Sequence, residues 1–315
     1  MIDLSNYNYQ QYQILFKNDD FYINEIASYY DTKLSFDGGR IFCLHPEKVG
    51  IIKKVIERII NDSEELTDSE LYAILNDNFY KELIYTGNSL KKIYLRTYGQ
   101  KKLYDSFKNN VITFVTGPAG SGKTFLAVVY SYNLLKKGQI KKIVITRPVV
   151  ESGESLGFLP GDLQQKVDPY LRPIYDSFET LVGSEYLARL IEKGIIEIAP
   201  LAYMRGRTLN DACIILDEGQ NATIMQMKMF LTRLGFNSKM IITGDITQID
   251  LPASKKSGLI DAINTVKGID DIGIVNMESK DVVRHPLVQQ IVQAYEAYEK
   301  KSAPQEKVQR KRRSR

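Results

Sequence analysis

The chain has 315 residues, 43% of them hydrophobic, with a net charge of +4, two histidines and two cysteines. That length and apolar content support one large and one small domain. The composition argues against a membrane span, a disulfide framework and a histidine metal centre: no apolar run approaches ~18 residues, and Cys43 and Cys213 have no metal-ligand spacing. Met1 to Gln10 is polar, without the apolar core of a secretory leader, and a cytoplasmic location is expected.

In chain order, a helix is expected over Phe21 to Tyr30, followed by a hairpin of Lys33-Leu34-Ser35-Phe36 and Ile41-Phe42-Cys43-Leu44 around Asp37-Gly38-Gly39-Arg40. A second helix over Pro46 to Ile60 follows, with Val49, Ile52, Lys53, Ile56 and Ile60 expected to form its stripe. Residues 1–60 thus read as a small α+β domain compatible with a KH-like RNA-binding module. The position of its G-x-x-G clamp is occupied by Lys17-Asn18-Asp19-Asp20, and a packing or oligomerisation role is the alternative. Residues 61–96 read as a helical connector, with Thr67-Asp68-Ser69-Glu70 as a capped helix start.

Residues 97–299 alternate strand-like and helical patterns, which predicts a doubly wound, mostly parallel sheet. The expected strands are 111–116, 143–147, 195–199, 212–217, 239–243 and 271–277. After the first comes Gly117-Pro118-Ala119-Gly120-Ser121-Gly122-Lys123-Thr124, leading into Phe125 and an apolar helix. The spacing G-x-x-x-x-G-K-T between strand and helix is a P-loop. Glycines turn successive amides toward an anion, and the helix start adds its dipole. Lys123 then faces β- and γ-phosphates, and Thr124 offers a hydroxyl to Mg²⁺.

The strand 143–147 ends in Arg147-Pro148, and the insert 149–190 is long enough to act as a lid. The run Ala212 to Leu216 reads as a buried strand ending in Asp217 and Glu218. In that place Asp217 serves Mg²⁺ and Glu218 readies the attacking water. Lys239 to Thr243 is followed by Gly244-Asp245-Ile246-Thr247-Gln248, putting Gln248 within reach of a γ-phosphate or its water. Arg147, Arg205, Arg207 and Arg284 are candidates for neutralising transition-state charge, within a subunit or across an interface. In residues 301–315, seven cations stand against Glu306, a net +6 that leaves about −2 for residues 1–300. This basic tail is expected to be disordered.

In this combination and order, the motifs identify a resemblance to the PhoH-like ATPases. They are Gly117 to Thr124, Thr146-Arg147-Pro148, Gly153 to Gly161, Met204-Arg205-Gly206-Arg207-Thr208-Leu209, Ile214 to Asn221, Thr243 to Pro252 and Asp281-Val282-Val283-Arg284-His285-Pro286. The resemblance implies a RecA-like P-loop core related to superfamily 1 helicases, with ATP and Mg²⁺ bound. It further implies a role in RNA metabolism, a ribosome-associated endoribonuclease as partner, and a ring-forming homo-oligomer, a hexamer being favoured. The family's Thr-x-Asn-Gln, whose glutamine reads adenine, corresponds to Thr97-Tyr98-Gly99-Gln100, with glycine replacing asparagine, and its alanine after the acidic pair is Gly219. A nucleotide-switched docking protein that moves no RNA is the alternative, and a small-molecule kinase a third.

Overall fold

The computed structural model describes residues 1–62, 66–87, 92–149, 163–252, 254–283 and 291. They fall into two compact units, one built on Met1–Asp77 and the other on Asn78–Val282.

In the first unit, β1 (Ile2–Asp3) leads to the short α1 (Tyr9–Tyr12) and then to α2 (Lys17–Tyr29). Next come β2 (Leu34–Asp37), β3 (Arg40–Cys43), α3 (Val49–Asn61) and α4 (Asp68–Leu75). The strands form an antiparallel sheet in the order β1-β3-β2, and the Asp37-Gly38-Gly39-Arg40 hairpin is present as expected. The buried stripe of α3 is Ile52, Val55, Ile56, Ile59 and Ile60. Lys53 lies off that stripe and pairs with Glu57. Those isoleucines complete a core with the buried Ile2, Leu15, Ile26 and Ile41, as an amphipathic helix must when its sheet has only one covered face.

The stretch expected to be a helical connector differs. After α4 it forms two antiparallel strands, β4 (Phe79–Thr86) and β5 (Lys92–Thr97). Phe79, Tyr85, Ile93 and Leu95 are buried, and aromatic and β-branched side chains such as the first three suit a pleated surface. The alternation is broken by irregular register between Phe79 and Glu82 and between Leu83 and Tyr85, which hides the period from a sequence reading.

The second unit continues with α5 (Tyr98–Asn109), β6 (Ile112–Thr116), α6 (Lys123–Lys136), β7 (Lys142–Arg147), α7 (Leu163–Val182) and α8 (Ser184–Glu192). It ends with β8 (Ile196–Pro200), β9 (Ala212–Leu216), α9 (Ile224–Leu231), β10 (Lys239–Gly244), α10 (Gly258–Val266) and β11 (Ile272–Asn276). All six expected strands form. Strands β6 to β11 make a parallel sheet in the order β11-β6-β10-β9-β7-β8. Residues from α5 to α8 join Val115, Ile143, Ile145, Cys213, Ile215 and Ile241 on one face. Those of α9 and α10 join Phe114, Val144, Ile214, Leu216 and Ile242 on the other. Both faces are therefore covered, which is why these strands read as continuous apolar runs. The result is the RecA-like α/β architecture, with β10 standing between the P-loop strand β6 and the acid-bearing strand β9. Cys213 lies fully within this sheet, and burial pushes its thiol up to about 12.

Candidate functional site

In a parallel sheet, ligands bind beyond the carboxyl ends of the strands. At that edge a cavity of about 330 Å³ is lined by the P-loop, Arg147, Asp217, Glu218, Thr243, Gly244, Asp245 and Gln248, with Pro173 and Ser177 of α7 alongside.

The P-loop runs from β6 to α6, and its path is set by backbone shape. Gly117 has φ 150°, and a Cβ there would stand 2.7 Å from the Met277 carbonyl oxygen. Gly122, the N-cap of α6, is left-handed at φ 88°, a conformation that costs other residues energy. Of the predicted loop residues, Ala119, Gly120, Gly122, Lys123, Thr124 and Phe125 line the cavity. Ser121 is buried and closes the loop by donating from Oγ to the Pro118 carbonyl at 2.9 Å. The Lys123 ammonium donates to the carbonyls of Gly117 at 2.7 Å and Pro118 at 2.8 Å.

Asp217, 3% exposed, ties the end of β9 to α6 and β10. Its Oδ1 accepts from Thr124 Oγ1 at 2.5 Å and from Thr243 Oγ1 at 2.7 Å. These hard oxygens beside a phosphate-binding loop suit a small divalent cation such as Mg²⁺, which keeps several waters and needs few protein ligands. Among the described residues, no group of three or more His, Cys, Asp or Glu side chains gathers.

Glu218 takes the left-handed region, at φ 52° and ψ 40°, which turns its carboxylate away from the strand direction. Gln220, fully buried, donates from Nε2 to Glu218 Oε2 at 2.6 Å and to the Gln248 carbonyl at 3.0 Å. The Gln220 Oε1 accepts from the Asp245 amide at 3.0 Å. Gln248 donates to Asp245 Oδ2 at 3.1 Å. Arg147 spans the acidic pair at longer range, 3.9 Å to Asp217 and 3.7 Å to Glu218.

The sequence reading assigned no role to Gln220, Thr243 or Asp245. Gln220 directly follows the acidic pair and its glycine, and Thr243 and Asp245 end a strand beside it. A polar residue at the end of each apolar run was the available signal. Gly219 is held small, since a Cβ would stand 2.9 Å from Ile242 Cγ2.

The remaining predicted residues lie elsewhere. Gln100, 5% exposed, sits behind the P-loop, donating from Nε2 to the Ser121 carbonyl at 3.2 Å and accepting from the Arg96 amide at 2.8 Å. Arg205 is exposed, on the segment after the edge strand β8. That strand is four places from β6, roughly 19 Å at the usual interstrand spacing. Arg207 is held by a two-pronged pair to Glu197, at 2.5 and 2.8 Å, and Lys142 joins Glu197 at 2.5 Å. The Arg207 hydrogen bonds, with Lys142 assisting, hold the Glu197 carboxyl down at about 2. Arg284, residues 150–162 of the insert, and residues 292–315, which include the basic tail, lie outside the described residues. No helix among the described residues is long and apolar enough to cross a membrane.

With this geometry in place, comparison with known proteins is informative. The PhoH-like protein family profile matches residues 92–296. A PhoH-like protein of Bacillus subtilis is 59% identical over 220 residues, covering 70% of this chain and 69% of that protein. One of Mycobacterium tuberculosis strain H37Rv is 55% identical over 209 residues, covering 66% and 59%. Protein PhoH of Escherichia coli K12 is 43% identical over 205 residues, covering 64% and 58%. The matched segment is thus between 58% and 69% of the length of these relatives. Among solved structures, the UvsW helicase of bacteriophage T4 aligns over 88% of this chain and 89% of its own, with 15% identity and a TM-score of 0.35. The Hef helicase domain of Pyrococcus furiosus aligns over 58% of this chain and 38% of its own, with 17% identity and a TM-score of 0.36.

Proposed function

This chain belongs to the PhoH-like protein family, and from that premise we propose that it binds ATP with Mg²⁺ at the carboxyl edge of the sheet, hydrolyses it, and uses the cycle to remodel RNA. The observation that carries the hydrolytic part is the joining of P-loop and acidic strand through Thr124 Oγ1 and Asp217 Oδ1 at 2.5 Å, with Glu218, Gln248 and Arg147 lining the same cavity.

The triphosphate lies along the amides of Gly120 to Thr124 at the start of α6, where unpaired N–H groups and the helix dipole favour an anion. Lys123 exchanges the two loop carbonyls it now contacts for β- and γ-phosphate oxygens. Thr124 and Asp217 would hold Mg²⁺, and Thr243 fixes the Asp217 oxygen. The ion would supply charge neutralisation. Glu218, steadied by Gln220, accepts the proton of the attacking water. Gln248 orients that water, and Arg147 leaves the acids to meet charge building on the γ-phosphoryl oxygens. Gln100 reads the base.

An arginine on the segment after β8 is too far from its own P-loop to serve it, so Arg205 would act on the nucleotide of a neighbouring subunit, as a ring provides, whereas Arg207 is held by Glu197. Arg284 is a third candidate for that role. The RNA part is supported by the family resemblance and by the basic residues 301–315. The order strand, helix, helix, strand, strand, helix in residues 1–61 supports a KH-like reading of that domain. The acidic loop at Lys17-Asn18-Asp19-Asp20 argues against backbone clamping there. We place the protein in the cytoplasm, with a ribonuclease or ribosome-bound partner as in the family.

Lys123→Ala tests the nucleotide site. Turnover is expected to fall by at least about 100-fold, with weakened ATP binding in equilibrium titration. Turnover near wild type in that variant would remove the P-loop from the mechanism. Single-stranded RNA is expected to raise the ATPase rate of the wild type, and an unchanged rate favours the nucleotide-switched docking protein.

A further inference from the structure

The turn after β11 contains a charged group that the mechanism above leaves unused. Asp281 is 2% exposed, and its hydrogen-bond partners are all uncharged. Oδ1 accepts from Asn78 Nδ2 at 2.7 Å, Thr97 Oγ1 at 2.9 Å and the Gly99 amide at 3.2 Å. Oδ2 accepts from the Glu278 amide at 2.9 Å. A buried carboxylate is costly unless its oxygens are satisfied, and this one draws its donors from three separate places. They are the residue before β4, the junction of β5 with α5, and its own turn.

The junction is the informative one. Thr97 is the N-cap of α5, and its Oγ1 accepts from the Gln100 amide at 3.1 Å. The same hydroxyl donates to Asp281, so one oxygen links the carboxylate to the backbone of Gln100. The Gln100 side chain then reaches the P-loop at the Ser121 carbonyl. The negative charge also sits at the start of a twelve-residue helix, where the dipole stabilises it. Gly99 completes the fit: a Cβ there would overlap the Asp281 carboxylate.

We propose that Asp281 is a positioning residue for Gln100, fixing the first turn of α5 against the P-loop and thereby setting selectivity for the base of the bound nucleotide. The proposal rests on the reading that Gln100 recognises adenine. It also links the segment three residues before Arg284 to the base end of the nucleotide site. Asp281→Asn keeps the size of the side chain, removes the charge, and replaces one acceptor oxygen with a donor that faces the Glu278 amide or the Thr97 and Gly99 donors.

Steady-state hydrolysis of ATP and GTP by wild type, Gln100→Ala, Asp281→Asn and the double variant provides the test. Gln100→Ala is expected to raise KM for ATP about tenfold, the loss of one or two hydrogen bonds, with KM for GTP little changed. Asp281→Asn is expected to reproduce that selective loss with kcat nearly retained. The double variant is expected to be no worse than either single one, because the two residues act in series. If Asp281→Asn does not fold, Thr97→Val, which removes the linking hydroxyl, is expected to give the same selective loss. An equal rise in KM for both nucleotides, or losses that multiply in the double variant, would overturn the proposal and leave Asp281 a structural tie. If Gln100→Ala leaves the ATP to GTP ratio unaltered, base reading by Gln100 fails and the proposal falls with it. If only the Gln100 variant shifts the ratio, base reading stands and the proposal alone is lost.

Discussion

The two ends of the large parallel sheet are built from the same residue types and use them differently. At the amino end, Glu197 is fully engaged by Arg207 and Lys142, and Lys239 donates to three carbonyls at the end of α5, those of Phe107, Lys108 and Asn110. Burial pushes the Lys239 ammonium below its ordinary range, and these short contacts close helix and strand ends. At the carboxyl end, Arg147 stands 3.7 and 3.9 Å from its acids, and Lys123 leans on loop carbonyls. A triphosphate could replace those contacts without opening the core. The first set of charges ties helix and strand ends together, whereas Arg147 and Lys123 line the cavity where a ligand would bind.

Gln220 offers the sharpest way to break this contrast. It is as buried as any structural residue, yet its bonds run to Glu218 and to the Gln248 and Asp245 backbone. Gln220→Ala is expected to lower kcat by about 10- to 100-fold, through a misaligned Glu218, with a smaller change in KM for ATP. A variant that lost stability but kept its kcat per folded molecule would move Gln220 to the structural class.

At the other end, Glu197→Gln is expected to leave kcat unchanged and to cost about 1–2 kcal/mol of stability at pH 7, allowing for solvent screening of a partly exposed cluster. The Glu197 carboxyl is lowered from 4.5 to about 2, so its contribution is present above pH 4.5 and is lost as pH falls from 4.5 toward 2. The stability gap between wild type and variant should close over that window, as read by denaturant titration at several pH values. A gap that stays constant would mean the cluster is held by packing.

Legibility from sequence followed the same division. The six sheet strands and the P-loop could be read because their causes are local: two-sided burial gives unbroken apolar runs, and the phosphate loop needs glycines at fixed spacing. Asp217 and Glu218 could be read because they end such a run. The β4–β5 hairpin was hidden by its irregular register, which spoils the two-residue period. Gln220 and Asp281 were not assigned roles because these depend on residues distant in sequence, Gln248 for one and Thr97 for the other. Arg207 reads from sequence as a candidate for neutralising transition-state charge. Only the structure places Glu197, ten residues earlier on the edge strand, against it.

The central claim is that Glu218 readies the water that cleaves a triphosphate held by the P-loop. Its most direct test is Glu218→Gln, assayed for retained radiolabelled ATP and for released phosphate beside the wild type. The expected result is tight retention of uncleaved ATP with phosphate release reduced by at least about 100-fold. Phosphate release at the wild-type rate would contradict it.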